Sequence, residues 1–224
     1  MRGWTAERWT GTAGVVTTVL LVIAFGLYFV AGAPTVNTAD GIVSYLRQGS
    51  GVIETSALLI FVALSILFVF LAGLRAIIVG ADPKLDYLGT AVFGLGAAAA
   101  ILPFVGLGIV AAAAANAAGT PDAPAIHAMF VASGVLGGAP SAIAMVFFLG
   151  VSGFALSTSA ILPRWTVWLS WVAAVLVLVT VPALYGGDNA GAFYTADGFV
   201  TILAPVPFYV WTLAVSIAIL RKAP

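Results

Sequence analysis

The sequence predicts an all-α, polytopic membrane protein, and three observations lead to this class. Hydrophobic residues make up 62% of the chain and charged residues only 7%, whereas a soluble domain carries about 25% charged residues. The mean hydropathy is +1.18. Six apolar runs follow one another, each at least as long as the roughly 20 residues that a helix needs to cross a bilayer. A chain with so little charge cannot cover a water-facing surface, so we expect one bundle of six transmembrane helices.

The six predicted spans form a single domain over residues 1–224. The second span is bounded most sharply, because Glu54 precedes it, Arg75 ends it and no charge lies between them. Proline is favoured in the first turn of a helix and disfavoured inside one, so we expect the fourth span to begin near Pro140. For the same reason Pro103 predicts a kink in the third span. The spans are approximately 12–33, 55–74, 88–117, 140–161, 166–185 and 198–220.

Two short helices are expected beside the spans, at the outer interface. One covers 124–136, with Pro124 in its first turn. The other begins near Asp40 and is ended by the glycines at 49–51; its apolar face is formed by Ile42, Val43 and Leu46. This pattern is typical of a helix lying in the membrane interface, and an ordinary ordered loop is the alternative.

Basic residues predict the orientation, because cytoplasmic loops are enriched in Lys and Arg. With the N-terminus inside, only Arg47 lies outside, and the tryptophans at 4, 9, 165 and 168 fall at the inner interface. The basic residues then on the cytoplasmic side are Arg2, Arg8, Arg75, Lys84, Arg164, Arg221 and Lys222. We therefore expect a plasma-membrane protein with both termini in the cytoplasm.

The first span is expected to be retained rather than cleaved as a signal peptide. The segment Ala31-Gly32-Ala33 resembles a cleavage site, but the apolar stretch before it is longer than a typical signal-peptide core. Pro34 would also follow the cut directly.

Composition excludes several kinds of chemistry. The net charge is zero and no basic patch is available, which argues against nucleic acid as a partner. The chain has no cysteine, so disulfides, thiolate catalysis and Cys-ligated metal centres are excluded. A single histidine cannot form the two-histidine sites of most catalytic zinc enzymes. We therefore predict no cofactor, no metal and no catalytic residue.

A candidate pocket on the outer face combines Glu54, His127 and Arg47. Glu54 opens a span, so in this hypothesis it forms the floor of the pocket with His127 or Arg47 as its partner. The alternative for Glu54 is a carboxylate stabilised by a helix N-terminus. For His127 the alternative is an isolated interfacial side chain on the short outer helix.

The sixth span carries a second candidate, the lining of a cavity. Pro205 and Pro207 interrupt the span, and Tyr209 and Trp211 follow at once. Broken helices at membrane depth occur where the backbone faces protein or a water-filled space. Trp165, Trp168 and Trp171 form one stripe on the fifth span. For both features the alternative is an interfacial anchor running into a packed core.

Two small-residue motifs are interpreted as packing. Gly150-Val151-Ser152-Gly153 has the G-x-S-G form of rhomboid proteases, but that chemistry needs a histidine on the sixth span, and 198–220 contains none. Ser152 is therefore expected to pack. The G-x-x-x-G from Gly134 to Gly138 and the alanine runs of the third span predict close helix contacts.

The segment Leu162-Pro163-Arg164-Trp165, followed by Val167-Trp168-Leu169-Ser170-Trp171, resembles a conserved loop of an uncharacterised family of bacterial integral membrane proteins, common in actinobacteria, that carry a domain of unknown function. Weaker similarities are Tyr45-Leu46-Arg47 and Gly73-Leu74-Arg75. The resemblance extends from Asp40 to the end of the chain. It implies a six-span plasma-membrane protein and no particular activity.

Three functions stay open on these grounds. The leading hypothesis is a non-enzymatic protein that binds a lipid or apolar small molecule, or serves as an accessory subunit of a membrane complex. Its expected partners are membrane lipids and other membrane proteins. The alternative is a small secondary transporter using the sixth span, although the scarcity of buried ionisable residues argues against a charged substrate. The third is a membrane enzyme with a site on the outer face.

Overall fold

The computed structural model describes residues 5–31, 38–119, 122–182 and 204–223, with only the backbone of 28–31. All regular structure in these ranges is helical, which confirms the all-α class. Four stretches are long and apolar enough to cross a membrane: Ala6–Leu27, Ala39–Ala81, Pro83–Ala118 and Ala123–Ser159. The described helices are α1 (Ala6–Ala31), α2 (Ala39–Ala81), α3 (Asp86–Ala118), α4 (Ala123–Gly137), α5 (Ala139–Ser159), α6 (Arg164–Leu178) and α7 (Val206–Lys222).

Helix α2 is the longest element, and its 43 residues correspond to roughly 65 Å. It runs through 49–51 without interruption, so the predicted break at these glycines is wrong, as is the separate outer helix before it. A glycine inside a helix costs about 1 kcal/mol. Burial offsets this cost, at about 1.5–3 kcal/mol for each large apolar side chain. The buried side chains flanking the glycines are Ile42, Val43, Leu46 and Ile53.

Helices α4 and α5 run one after the other along α3 and meet at Gly138. Both predicted helix starts are confirmed: Pro124 lies in the first turn of α4 and Pro140 in the first turn of α5. The Asp122 side chain caps α4 by accepting a hydrogen bond from the backbone N–H of Ala125 at 3.2 Å.

Residues at one end of the bundle carry most of its positive charge. Arg75, six residues before the end of α2, donates a hydrogen bond to Asp86 at the start of α3, with 2.5 Å between Nη2 and Oδ1. Lys222, at the end of α7, donates to the carbonyl of Ile161, which lies just before α6. We call this the basic end, and the opposite end, where Arg47 lies, the distal end.

The buried apolar residues form two clusters. The larger one joins all seven helices except α4. The smaller one, which we call the distal core, joins the first part of α2, the last part of α3 and α4. Its members are Ile42, Val43, Leu46, Ile53, Val110, Ala113, Ala114, Ala117, Ile126 and Phe130. Three helices thus continue toward the distal end as a layer with its own core.

Candidate functional site

The structure does not bring the predicted outer-face residues together. Glu54 is exposed in the interior of α2, so it does not stand at a helix N-terminus. Among the described residues it makes no hydrogen bond or ion pair with Arg47 or His127. Arg47 instead donates from Nε to the carbonyl of Ala117 at the end of α3, at 3.0 Å. His127 is half-buried on α4. Across the described ranges, no three acidic, histidine or cysteine residues form a potential metal site.

A cavity of about 290 Å³ lies where the distal core meets the larger core. Its walls come from α1 to α5 and from α7. None of the described residues that line it is charged, and most of them are apolar. Such a space binds by dispersion and by removing apolar surface from water.

One wall of the cavity is built from small residues. Helices α3, α4 and α5 contribute alanines and glycines whose short side chains leave the space open. They are Ala99, Ala100, Gly106, Gly134, Gly138 and Ala142.

Facing this wall are larger apolar side chains. Helices α1 and α2 contribute leucines and isoleucine, and α7 contributes two rings. The members are Leu21, Ile60, Leu64, Leu67, Phe208 and Tyr209. The Tyr209 ring packs edge-on against Phe25 and Phe208, with centroid distances of 5.8 and 6.1 Å.

The Gly134–Gly138 motif takes part both in a close helix contact, as predicted, and in the cavity wall. A Cβ added at Gly106 on α3 would lie 3.0 Å from the carbonyl oxygen of Ser133 and 3.5 Å from the backbone nitrogen of Gly137. Gly134, Gly137 and Gly138 all line the empty space. A Cβ added at Gly137 would meet nothing within 4 Å, and one added at Gly138 would meet only the backbone of α4 itself. The same glycines that suggested a helix interface widen a cavity.

Two of the four residues predicted to line a cavity do so. Pro205 and Tyr209 are in its wall. Helix α7 begins at Val206 with Pro207 in its first turn, where proline is tolerated. The preceding part of the predicted span, 198–203, lies outside the described residues. Pro207 is not in the lining of the cavity.

Trp211, the fourth of these residues, is a core residue. It is fully buried, and its Nε1 donates a hydrogen bond to the hydroxyl of Ser170 on α6 at 2.7 Å. Its ring meets Phe148 edge-on, with centroids 5.1 Å apart, and Phe70 at 6.3 Å. It lies one helical turn after Phe208, whose side chain is in the cavity wall.

Ser152 is fully buried on α5, and its Oγ has no hydrogen-bond partner among the described residues. Neighbouring Gly153 allows α5 to approach α6 closely, since a Cβ there would lie 3.1 Å from the Cβ of Ser170. The arrangement is the close packing predicted from the sequence, without a base next to the serine.

The tryptophan stripe of α6 is partly exposed, and Trp171 lies against α5, where a Cβ added at Gly153 would be 3.2 Å from its indole ring. Trp165, Trp168 and Trp171 are 49%, 70% and 43% exposed. This stripe therefore does not line the cavity.

These features define a class: an all-helical protein with four stretches long and apolar enough to cross a membrane and an apolar cavity among its helices. No protein-family model matches the chain, and neither does any curated protein or solved structure. The resemblance through the loop at Leu162–Trp165 stays a prediction.

Sequence reasoning missed most of the cavity wall. The signal was present in the alanines at 97–100 and in the glycines from 134 to 138. Small residues at helical spacing are compatible both with two helices in contact and with two helices held apart. Only the paths of α3, α4 and α5 in the structure show whether such residues bring helices together or leave a space between them.

Proposed function

We propose that this protein is a multi-pass plasma-membrane protein that binds an apolar small molecule or a lipid inside its helical bundle, without catalysing a reaction. The observation that carries the proposal is the cavity of about 290 Å³ that six helices line, without a charged side chain, in the described part of the chain. Small-molecule sites are concave, mostly apolar and typically about 300–1,000 Å³ in volume. The cavity is at the lower end of that range.

The distribution of charge supports an orientation with both termini in the cytoplasm. Arg75, Arg164 and Lys222 belong to the basic end, and Lys and Arg favour the cytoplasmic side. In that orientation the cavity is in the half of the bundle nearer the outside. An apolar ligand could then enter from the outer leaflet.

Transport of an uncharged solute is a second candidate, because the α4–α5 helix pair is discontinuous where it forms the cavity wall. Gly138 separates the two helices, and Pro140 removes one backbone donor from the junction. In many transporters, discontinuous helices surround the substrate site near the middle of the membrane. The sixth span, which the sequence suggested for this role, contributes Pro205 and Tyr209 to the same cavity.

Native mass spectrometry of the protein extracted from its own membrane tests the proposal. We expect an apolar molecule to co-purify with the unmodified chain and to be lost from the variant Ala142→Leu, whose larger side chain enters the cavity. Ala132→Leu is the matched control, because Ala132 is exposed on α4. Equal retention by both variants would contradict binding in this cavity, and thermal unfolding of each variant shows whether it is folded.

A further inference from the structure

A second apolar space lies on the surface of the bundle, in a groove where α5 and α6 meet. Among the described residues it shares no lining residue with the cavity, and every residue of its lining is apolar. Its large side chains are exposed, so the groove is a surface patch of the kind that contacts a membrane. They are Phe147, Phe154, Trp171, Val175 and Leu178.

A glycine on α5 leaves part of this groove open beside an aromatic ring. A Cβ added at Gly150 would lie 3.8 Å from Cζ3 of Trp171, which is an ordinary contact distance. Without that atom the indole ring, which is 43% exposed, is available to another molecule in the groove. An aromatic ring and a chain of methylene groups attract each other by dispersion, without any directional partner.

The face of α6 that lines the groove begins with a cation. Arg164 is the first residue of α6, and Trp171 and Leu178 follow it at intervals of seven residues, which places all three on one face of the helix. All three are exposed. The face is roughly 21 Å long, which is about half of a bilayer roughly 40–45 Å thick with its head groups. It therefore matches the depth of one leaflet, with Arg164 at the level of the head groups.

A second cation lies beside the loop before α6. Lys222, at the end of α7, donates a hydrogen bond to the carbonyl of Ile161, three residues before Arg164. An ammonium group carries three donors, and no described residue accepts a hydrogen bond from the other two. Lys222 is exposed, so these donors are available to an anion.

Neither cation is neutralised by the helices that carry it. Helices α5, α6 and α7 contain no aspartate or glutamate, and the guanidinium of Arg164 makes no hydrogen bond or ion pair with the described residues. A guanidinium group presents donors in a planar fork that fits a phosphate. Two basic side chains without a counter-charge are thus complementary to an anionic group at this end of the groove.

We propose that the groove is a site for an anionic phospholipid of the leaflet at the basic end. Its phosphate is bound by Arg164 and Lys222, and one of its acyl chains lies along Trp171 and Leu178. Basic pockets on the cytoplasmic side of membrane helices bind lipid head groups in this way. The site goes beyond the ligand of the cavity and rests only on the membrane location and the orientation in the proposed function.

Titration of the purified full-length protein in detergent tests the head-group contacts. Phosphatidylglycerol and phosphatidylcholine with the same acyl chains are added, and native mass spectrometry measures the dissociation constant of each. We expect phosphatidylglycerol to bind more tightly. Arg164→Gln and Lys222→Gln should each weaken its binding about fivefold and leave phosphatidylcholine unaffected. Arg8→Gln is the matched control, because it removes one positive charge at the same end from α1, which does not line the groove.

A pair of substitutions on α6 tests the acyl-chain contacts. Val175 lines the groove and Val172 does not, although the two are similarly exposed, at 59% and 53%. Val175→Trp should fill the groove and weaken phosphatidylglycerol binding several-fold, whereas Val172→Trp should leave it unchanged. Thermal unfolding of both variants shows that each is folded.

Equal affinity for the two lipids, or an equal loss in Arg8→Gln and Arg164→Gln, would overturn the head-group assignment. Competition by inorganic phosphate at millimolar concentration, or unchanged binding in Val175→Trp, would show an anion site without a lipid chain. The cavity is tested separately by Ala142→Leu, which should not affect phosphatidylglycerol binding in the groove. Failure of this site is therefore distinguishable from failure of the proposed function.

Discussion

The hydroxyl of Ser141 on α5 donates a hydrogen bond, at 3.3 Å, to the carbonyl of Ala99 on α3. This carbonyl is the one that Pro103, four residues later, leaves without its usual helical donor, because proline has no N–H. Ser141 is fully buried, so bulk water does not reach the Ala99 carbonyl in place of the serine hydroxyl. A proline inside α3 and a serine after the Gly138 junction therefore form one unit, which holds α5 against α3 beside the cavity.

This relationship predicts a coupled effect on stability. Ser141→Ala should lower the free energy of unfolding by about 1 kcal/mol, the typical size for a hydrogen bond between membrane helices. In a Pro103→Ala background the backbone N–H at 103 can serve the Ala99 carbonyl, so the same substitution should cost clearly less. Unfolding in mixed micelles measures both, and a double-mutant cycle without coupling would contradict the assignment.

Gly73 predicts a steric effect at the contact between α1 and α2. A Cβ at this position would overlap the hydroxyl of Thr10, so Gly73→Ala should destabilise the protein by about 1–3 kcal/mol through overpacking. Gly80 is the control on the same helix, since a Cβ there meets nothing within 4 Å. Gly80→Ala should be neutral or stabilising, because alanine is the better helix former. Equal unfolding midpoints for the two variants would show that α1 is not packed at Gly73.

The orientation is tested by labelling introduced cysteines, which is straightforward because the chain has none of its own. Gln48 at the distal end and Lys84 at the basic end are both exposed. In intact cells, a membrane-impermeant maleimide should label Gln48→Cys and leave Lys84→Cys unlabelled until the cells are opened. The reverse pattern would invert the proposed topology.

The helical class and two of the helix starts could be predicted from the sequence because they depend on local rules. Proline is favoured in the first turn of a helix, where Pro124 and Pro140 are found, and an uncharged apolar run of about twenty residues has few alternatives to a helix. The continuity of α2 through Gly49 to Gly51 could not be predicted. It depends on the burial of Ile42 and Ile53 against α3 and α4, which are remote in sequence.

The candidate site could be predicted only in part for the same reason, because it depends on contacts between residues that are remote in sequence. Glu54, His127 and Arg47 were grouped because all three are polar residues near one predicted interface, but Arg47 and Glu54 lie two turns apart on α2, roughly 10 Å along its axis, and His127 lies on α4. Arg47 faces the end of α3 through Ala117, whereas Glu54 is exposed in the interior of α2. Pro205 and Tyr209 were found because proline disrupts a span visibly in sequence. The alanines at 97–100 are an ambiguous signal, because small residues also occur where helices are in contact.

The hydrogen bond between Trp211 and Ser170 predicts a loss of stability when its acceptor is removed. Ser170→Ala removes the acceptor of the indole N–H and leaves a fully buried donor unpaired, which should cost about 1–3 kcal/mol. Ser157→Ala is the control, because Ser157 is exposed and bonds only to the carbonyl of Phe154 in its own helix. We expect the Ser157 variant to unfold like the unmodified chain. A Ser170 variant that is equally stable would show that Trp211 finds another acceptor.

Ser152 is a buried serine on the adjacent helix α5, and its replacement by alanine should not lower the free energy of unfolding. Its Oγ is buried without a partner among the described residues, so the folded state carries the cost of an unsatisfied hydroxyl. Ser152→Ala removes that group and nearly preserves the volume, so its free energy of unfolding should equal or exceed that of the unmodified chain. Ser152→Leu should instead lower it by about 1–3 kcal/mol, because α5 and α6 are in close contact at Gly153. Thermal unfolding of the Ser152→Ala and Ser170→Ala variants compares the two buried serines within the same pair of helices, α5 and α6. A loss of stability in the Ser152→Ala variant would mean that its hydroxyl has a partner, such as a buried water molecule.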